Sequence, residues 1–531
     1  MTRAARAAGD RFETSVGAIL VVAGSAVGLG NFLRFPGQAV EHGGGAFMIP
    51  YACALLVLGI PLGWAEWTMG RYAGQRGFHS TPGVLGVVAG RPARYLGVIG
   101  VAIPAVVYMY YGWIEAWCLQ YAWAYASGSI QLGSDPGAHL ATSRALFEGV
   151  TGNTRHGSAW TGPHGSGLFW IAVFVLNVWV IHRGLARGIE RFCRWAMPVM
   201  AVCALGVLIR VLTLGAPDPA HPERTVLAAL GFLWNPDLSR LADLDTWMAA
   251  AGQVFFSLSL GFGVILNYAS YLGRDEDVVL GGLTASSMNE VFEVGFGGMI
   301  TVPAAFLFLG ASGVAGGTFG VGFQALPVVF HEMGPWGRTV GTAWFFMLFL
   351  AAITSSLSML QPVKAFVQET LGLSAGCSVL YLALLAGAGS LWVIYWSAGL
   401  VALETLDFWV GTLGIVVLAC VEIVCFSWVF GVDAGLGEAH RGAALRIPRV
   451  YRCVLRYVAP VYLLVILVGF CVQRLPEHLA ELAESPIASA TLAGVGVLLG
   501  TLAVLTRIGE RRWRTLGIHL DTAAPSEREL P

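Results

Sequence analysis

Long apolar runs dominate the chain, divided by short clusters of arginine, glycine and proline. A membrane-crossing helix takes about 20 mostly apolar residues. Twelve segments read as such helices: residues 15–39, 45–73, 95–127, 167–183, 192–214, 246–272, 279–311, 339–371, 376–396, 400–430, 450–474 and 487–508. The pattern predicts an all-α polytopic membrane protein.

Two of these runs are interrupted. The first carries Gly24, Gly28, Gly30, Asn31, Arg34 and Pro36, and the sixth carries Ser259-Leu260-Gly261-Phe262-Gly263. Glycine and proline weaken a helix, and at membrane depth irregular backbone survives only where it is buried in protein or lines a cavity. Such breaks free carbonyls for cations and amides for anions. The two lie at corresponding positions in two sets of five segments. Five is odd, so the sets insert with opposite orientation, and a matched pair of broken helices points to a transporter site. The expected organisation is an N-terminus (1–14), a first inverted repeat (15–214), an outer loop and second repeat (215–430), two further spans (431–508) and a tail (509–531). The Gly-, Ala- and Phe-rich stretch 312–338 is expected to fold back as an apolar lid over the outer face.

Composition sharpens this picture. Of 531 residues, 56% are hydrophobic and 12% charged, against about 25% charged in soluble proteins. The net charge of −1 speaks against a nucleic-acid partner. The nine cysteines fall mostly in apolar segments without metal-type spacing and read as buried, inert thiols. Arginine-rich segments follow one parity: Arg3, Arg6 and Arg11; Arg76, Arg91 and Arg94; Arg183, Arg187, Arg191 and Arg194; Arg441, Arg446, Arg449 and Arg452; Arg507, Arg511, Arg512 and Arg514. By the positive-inside rule both termini face the cytoplasm of a plasma membrane, or an inner membrane in a bacterium. The run after Arg11 is too long and glycine-broken for a cleavable leader. Lys364 is expected to snorkel. No HExxH or GxSxG constellation suggests an enzyme, and two broken helices enclosing one site disfavour a channel filter.

The run Gly24–Pro36, the stretch Gly43-Gly44-Gly45-Ala46-Phe47-Met48-Ile49-Pro50-Tyr51 and Glu66-Trp67-Thr68-Met69-Gly70-Arg71 resemble the neurotransmitter:sodium symporter family. So do Gly188-Ile189-Glu190-Arg191-Phe192, Phe255 to Gly263, Thr354-Ser355-Ser356 and Asp407-Phe408-Trp409. The likeness covers nearly the whole chain and is greatest to bacterial amino-acid members of the leucine transporter type. It implies that fold: twelve helices, a 5+5 inverted repeat, and broken helices 1 and 6.

The resemblance implies two sodium ions. One would be held by Ala26, Asn31, Ser257, Asn289 and a carboxylate oxygen of the substrate, coupling the two ligands. The other would be held by Gly24, Val27, Ala351, Thr354 and Ser355. The competing reading of the last hydroxyls is that they bond back to their own helix. Glu293, one turn from Asn289, stands where chloride-dependent members have serine. With Tyr51 and Gln253 beside it, it is expected to supply the halide's negative charge covalently, and proton counter-transport through it is a further hypothesis. Glu66, Glu115, Glu290 and Glu422 also lie in or near apolar segments and read as structural.

Leu29, Gly30 and Tyr111 are expected to hold a carboxylate, and Ala26, Phe256, Ser257 and Ser259 an amino group. Val107, Tyr111, Phe256, Phe262, Ser355 and Met359 would line the apolar remainder. Gly28 replaces the aspartate of biogenic-amine members, which favours a zwitterion. The implied function is sodium-coupled import of a neutral, hydrophobic amino acid by alternating access, independent of chloride. An aromatic amino acid, a small zwitterionic osmolyte or a transport-inactive sensor of the same fold are the alternatives. Arg34 and Asp407 match an outer gating pair, above a hatch of Tyr111 and Phe256. Arg11, Tyr271 and Glu369 match the inner gate, with Phe12 where the family has tryptophan.

Overall fold

A computed structural model describes residues 12–516 except 163, 217–219, 237 and 314–318. Among the described residues the secondary structure is helical apart from one isolated bridge, Gly44 to Pro236. Nine helices there are long and apolar enough to cross a membrane, and the bent pair Ser15–Ala26 and Gly30–Glu41 makes a tenth. By length alone the expected twelve is not reached, for two physical reasons. The fourth expected span is the helix Gly167–His182, 16 residues long, which extends about 24 Å at 1.5 Å per residue. The sixth is split into Leu244–Ser257 and Val264–Ala269.

Two helices form the axis. Ile99–Ser127 and Gly337–Leu371 pack along each other, with 94% and 89% of their most apolar stretches enclosed, whereas only 22% of that in Pro486–Thr515 is covered. The outer helices present large apolar side chains such as Leu168, Val202 and Val497. That is the surface a hydrocarbon solvent requires. Lys364 is 2% exposed, so it lies inside the bundle and does not snorkel. The cysteines are unpaired; Cys118, Cys193 and Cys425 are buried, but Cys377, Cys453 and Cys471 are exposed, so burial is not their common property.

The first span starts at an N-cap, where the Thr14 hydroxyl accepts from Gly17 N. Glu190, in the turn before Arg191–Leu212, accepts from Glu13 N at 2.7 Å and from Arg194 at 2.8 Å. The two halves of the first span meet at 46°. Wider π-helical turns interrupt several spans. Gly30–Arg34 carries Asn31 and Arg34, Val291–Gly298 carries Glu293, and Asp407–Gly414 begins with Asp407. Such turns recur at functional sites.

Of the expected lid, Gly320–Ala325 and Leu326–Glu332 are helical and lead through Gly334–Trp336 into Gly337–Leu371. Ser143 Oγ donates to the Gln324 carbonyl at 2.7 Å and Tyr121 to the Phe323 carbonyl at 3.3 Å.

Candidate binding site between two broken helices

The site begins with what the first break does to its hydrogen bonds. Val27 is extended (φ −72°, ψ 94°), so the helical ladder stops. Gly28 N donates to Asn31 Oδ1 at 2.8 Å, and Leu29 N to the Tyr111 hydroxyl at 3.0 Å. The Ser25 carbonyl accepts from Ser355 Oγ at 3.2 Å and Ser259 Oγ at 3.1 Å. Side chains from the second half of the same span, from two other helices and from the sixth break thus satisfy backbone groups that the helix has released. Gly28 is needed for close approach: a Cβ there would lie 2.8 Å from Ser355 Oγ and 2.9 Å from the Tyr111 hydroxyl.

The sixth span breaks through left-handed backbone. Ser259 (φ 55°), Gly261 (φ 67°) and Gly263 (φ 73°) all have positive φ, a region that costs a residue with a Cβ. Gly261 N donates to Glu66 Oε1 at 2.8 Å, and Glu422 lies beside that carboxyl.

A polar cluster lies beside the first break. Asn31 Nδ2 donates to Asn289 Oδ1 at 2.8 Å and to Glu293 Oε2 at 3.2 Å. Asn289 Nδ2 donates to Ser257 Oγ at 2.7 Å and to Glu293 Oε2 at 3.0 Å. Gln253 Nε2 donates to Glu293 Oε1 at 2.8 Å, and Ser257 Oγ donates to the same carboxylate. Asn31, Gln253, Asn289 and Glu293 are all fully enclosed. Tyr51, expected on Glu293, lies within hydrogen-bonding reach of that carboxyl and donates to Glu290 Oε2 at 2.8 Å. Glu290 lies one turn before Glu293, so Tyr51 sits against both carboxyls. A cation among Asn31, Ser257 and Asn289 would share the Asn31 amide oxygen, which now accepts from Gly28 N.

Around the expected second ion site, Gly24 faces Thr354: a Cβ on Gly24 would stand 3.5 Å from Thr354 Cβ. Thr354 Oγ1 donates to the Leu350 and Ala351 carbonyls at 3.1 and 3.0 Å, back to its own helix. Ser355 donates both to Ala351 and across to Ser25. Ser356 leaves the group and donates to Glu115 at 2.6 Å, a carboxylate that also takes Asn177 Nδ2. Gly28 N, the usual partner of the Gly24 carbonyl in an unbroken helix, is diverted to Asn31.

A narrow pocket lies between the breaks, lined by Ser25, Ala26, Gly28, Gly30, Asn31, Tyr111, Phe256, Ser259, Phe262, Ser355 and Met359. No side chain in this lining carries a formal charge. Of the expected lining residues, Val107 is outside; it is enclosed by packing one turn from Tyr111. Leu29 faces the next cavity, and Ser257 belongs to the polar cluster. Above lies a vestibule of about 590 Å³ that shares Gly30, Tyr111 and Phe256 with the pocket and is also lined by Arg34, Asp407 and Gln324. Phe256 meets Phe262 edge-on at 6.0 Å and carries the Arg34 guanidinium 4.6 Å above its ring.

The expected outer pair does not close in this structure. Arg34 rests on Phe256, and Asp407 accepts from the Tyr110 hydroxyl at 2.7 Å. Both groups have partners that leave the vestibule between them open. At the other end of Gly337–Leu371, Glu369 accepts from His79 N at 2.8 Å, Ser80 N at 3.0 Å and Ser80 Oγ at 2.8 Å. Its observed side-chain bonds come from this turn. Tyr271 stacks on His79 at 4.4 Å and accepts from Gln361 at 3.3 Å. Arg11 lies outside the described residues, and Phe12 meets Tyr268 edge-on at 6.1 Å.

Sequence reasoning missed Ser25, Tyr110, Tyr51's bond to Glu290, and Glu66 as the anchor of the sixth break. Glu66 and Glu290 left a signal, as carboxylates in or near apolar runs without an assigned task.

Two broken helices facing one pocket, set against a long buried helix pair, define a polytopic transporter with a central ligand site. The comparisons agree. The model of the sodium:neurotransmitter symporter family matches residues 9–138 and 165–508, and the chain belongs to that family of sodium-dependent transporters. It is 27% identical to an uncharacterized sodium-dependent transporter of Methanocaldococcus jannaschii, over 86% of this chain and 89% of that one. It is 28% identical to the sodium-dependent serotonin transporter of Drosophila melanogaster, over 87% and 76%. The crystal structure of MhsT in complex with L-phenylalanine superposes with a TM-score of 0.73 at 27% identity, covering 87% of this chain and 99% of that one.

Proposed function

We propose that the protein is a sodium-coupled symporter of a neutral amino acid with a hydrophobic side chain, working without chloride. The observation that carries this reading is the pocket between the breaks. At one end the Leu29 amide donates to the Tyr111 hydroxyl at 3.0 Å, and an α-carboxylate would take the place of that bond and accept from both. The Ser25 carbonyl and Ser259 hydroxyl suit an ammonium, and Phe256, Phe262 and Met359 offer an uncharged wall. That MhsT holds L-phenylalanine supports an amino acid with a large apolar side chain.

Two sodium ions are written here as co-transported cargo. The first would use Ala26, Asn31, Ser257, Asn289 and the substrate carboxylate; the second, Gly24, Val27, Ala351, Thr354 and Ser355. Sodium takes hard oxygen ligands, and these sets are carbonyls, hydroxyls and amides. Glu293 is the carboxylate that Asn31 itself reaches, and it would supply from within the chain the negative charge a halide would otherwise bring. Arg34 and Asp407 would approach each other over the bound substrate, and 312–338 would cover the outer mouth. Both termini would lie in the cytoplasm.

The test is a scintillation-proximity and thermal-shift screen of the standard amino acids in sodium against potassium, followed by uptake into proteoliposomes. Sodium-dependent stabilisation by a hydrophobic amino acid and gradient-driven uptake without chloride are expected. Binding without uptake would instead make the protein a sensor. Glu293→Ser should make uptake chloride-dependent; unchanged uptake in chloride-free buffer would remove the charge-replacement role.

A further inference from the structure

The family match ends at residue 508, but the last helix, Pro486–Thr515, continues for two turns. Those turns are engaged in the structure. Glu510 is 3% exposed and accepts from Arg94 Nη1 at 2.8 Å and from the Tyr95 hydroxyl at 3.3 Å. Arg94 is 1% exposed. Trp513 is also buried, with its ring edge-on to Phe78 at 5.2 Å. Its Nε1 donates to the Glu369 carbonyl at 3.1 Å, and Arg512 Nη1 donates to the same oxygen at 3.0 Å.

That oxygen explains the arrangement. Helix Gly337–Leu371 ends at Gly372, whose N–H returns to the Gln368 carbonyl. The Glu369 carbonyl is among the last four, which have no partner within a helix. A cation at this end also answers the helix dipole. The Arg512 guanidinium lies so close over the cap that a Cβ on Gly372 would come within 2.2 Å of its central carbon. Arg512 and Trp513 therefore cap the long helix from outside.

Glu369 is at the same time the residue whose carboxylate grips His79 and Ser80. Those residues hold the far half of the broken sixth span. Asn267 Nδ2 donates to the His79 carbonyl at 2.8 Å, the His79 ring bonds the Ser270 hydroxyl at 2.8 Å, and Tyr271 stacks on that ring. An unbroken series of contacts thus runs from the last helix through Glu369 and the 78–80 turn to residues 267–271.

We infer that the end of the last helix is a brace, in which Glu510, Arg512 and Trp513 act as positioning residues. They fix the backbone of Glu369 so that its carboxylate holds the 78–80 turn against the sixth span, and so set how readily this end of the pathway opens. None of the three touches the pocket. The inference uses the transport reading only for its consequence on uptake, so the first measurement below does not depend on it.

Hydrogen–deuterium exchange of the full chain in nanodiscs with sodium tests the brace. Trp513→Phe keeps the ring on Phe78 and removes only the N–H; the double variant Arg512→Ala/Trp513→Phe removes both bonds to Glu369. Exchange across residues 75–84 and 264–272 should rise about two- to tenfold, the worth of one or two hydrogen bonds. Residues 110–120, beside the vestibule, should exchange as before. In uptake the sodium concentration for half-saturation should rise by a similar factor, and Arg512→Lys should largely retain the wild-type value. Unchanged exchange in the folded variants overturns the inference. So does an equal rise at 110–120 with a lowered melting temperature, which would make the helix end a general stability anchor. If wild-type protein shows no uptake while the exchange pattern appears, the brace stands and the transport reading falls.

Discussion

The two breaks that face the pocket are built by opposite means. The first, at Val27–Leu29, has no positive φ; its backbone groups are satisfied by neutral partners borrowed from elsewhere, namely Asn31, Tyr111, Ser259 and Ser355. The sixth is bent by its own left-handed residues, Ser259, Gly261 and Gly263, and pinned by the Glu66 carboxylate. A ligand can exchange with a neutral hydroxyl at small net cost, because one hydrogen bond replaces another. Displacing the buried Glu66 carboxyl instead leaves that group without its backbone partner in a dry interior, at a larger cost. On the proposed reading, the first break supplies most of the ligand contacts, joined by the Ser259 hydroxyl, and the rest of the sixth break shapes the wall.

The largest expected effect comes from filling the first break. Gly28→Asp puts a Cβ 2.8 Å from Ser355 Oγ and a charge beside Tyr111; sodium-dependent substrate binding should fall below detection in a scintillation-proximity assay. Retained binding would mean that this break is wider than its contacts suggest.

Next comes the sixth break. Gly261→Ala places a Cβ at φ 67° and 2.6 Å from the Ile415 carbonyl, a strain of about 1–3 kcal/mol. Its melting temperature should drop by several degrees while the folded fraction keeps its substrate affinity. Lost affinity at unchanged stability would reverse the two assignments.

Tyr111→Phe should do the converse. It removes the partner of Leu29 N, weakening substrate binding about tenfold, near the upper worth of one hydrogen bond; water from the vestibule that Leu29 lines can take the hydroxyl's place, so ligand-free melting should fall less than in Gly261→Ala. The smallest effect is expected for Ser355→Ala, which loses the bond to Ser25 and should raise the half-saturating sodium concentration about two- to fivefold. No change would leave that hydroxyl a packing contact.

Much of this was legible in the chain. Apolar runs of helical length announced a membrane bundle, glycines marked both breaks, and the one-turn spacing of Asn289 and Glu293 set both on one face. Local chemistry suffices there, because hydropathy, φ preference and helical periodicity act over a few residues. Long-range partner choice was less legible. Tyr51 was expected on Glu293 and bonds Glu290 as well; Asp407 was expected on Arg34 and holds Tyr110; Val107 was expected in the pocket and packs outside it.

The sequence by itself therefore determined that the chain lies in a membrane, where its helices fail, and which residues carry chemistry near those failures. Only the tertiary structure decided which donor answers which acceptor across segments more than a hundred residues apart, such as Gly261 with Glu66 or Trp513 with Glu369. The reason is physical. A buried polar group must be satisfied by whatever the packing brings within about 3 Å, and an ångström-scale choice among neighbours is made by the assembled bundle, beyond the reach of any one segment's pattern.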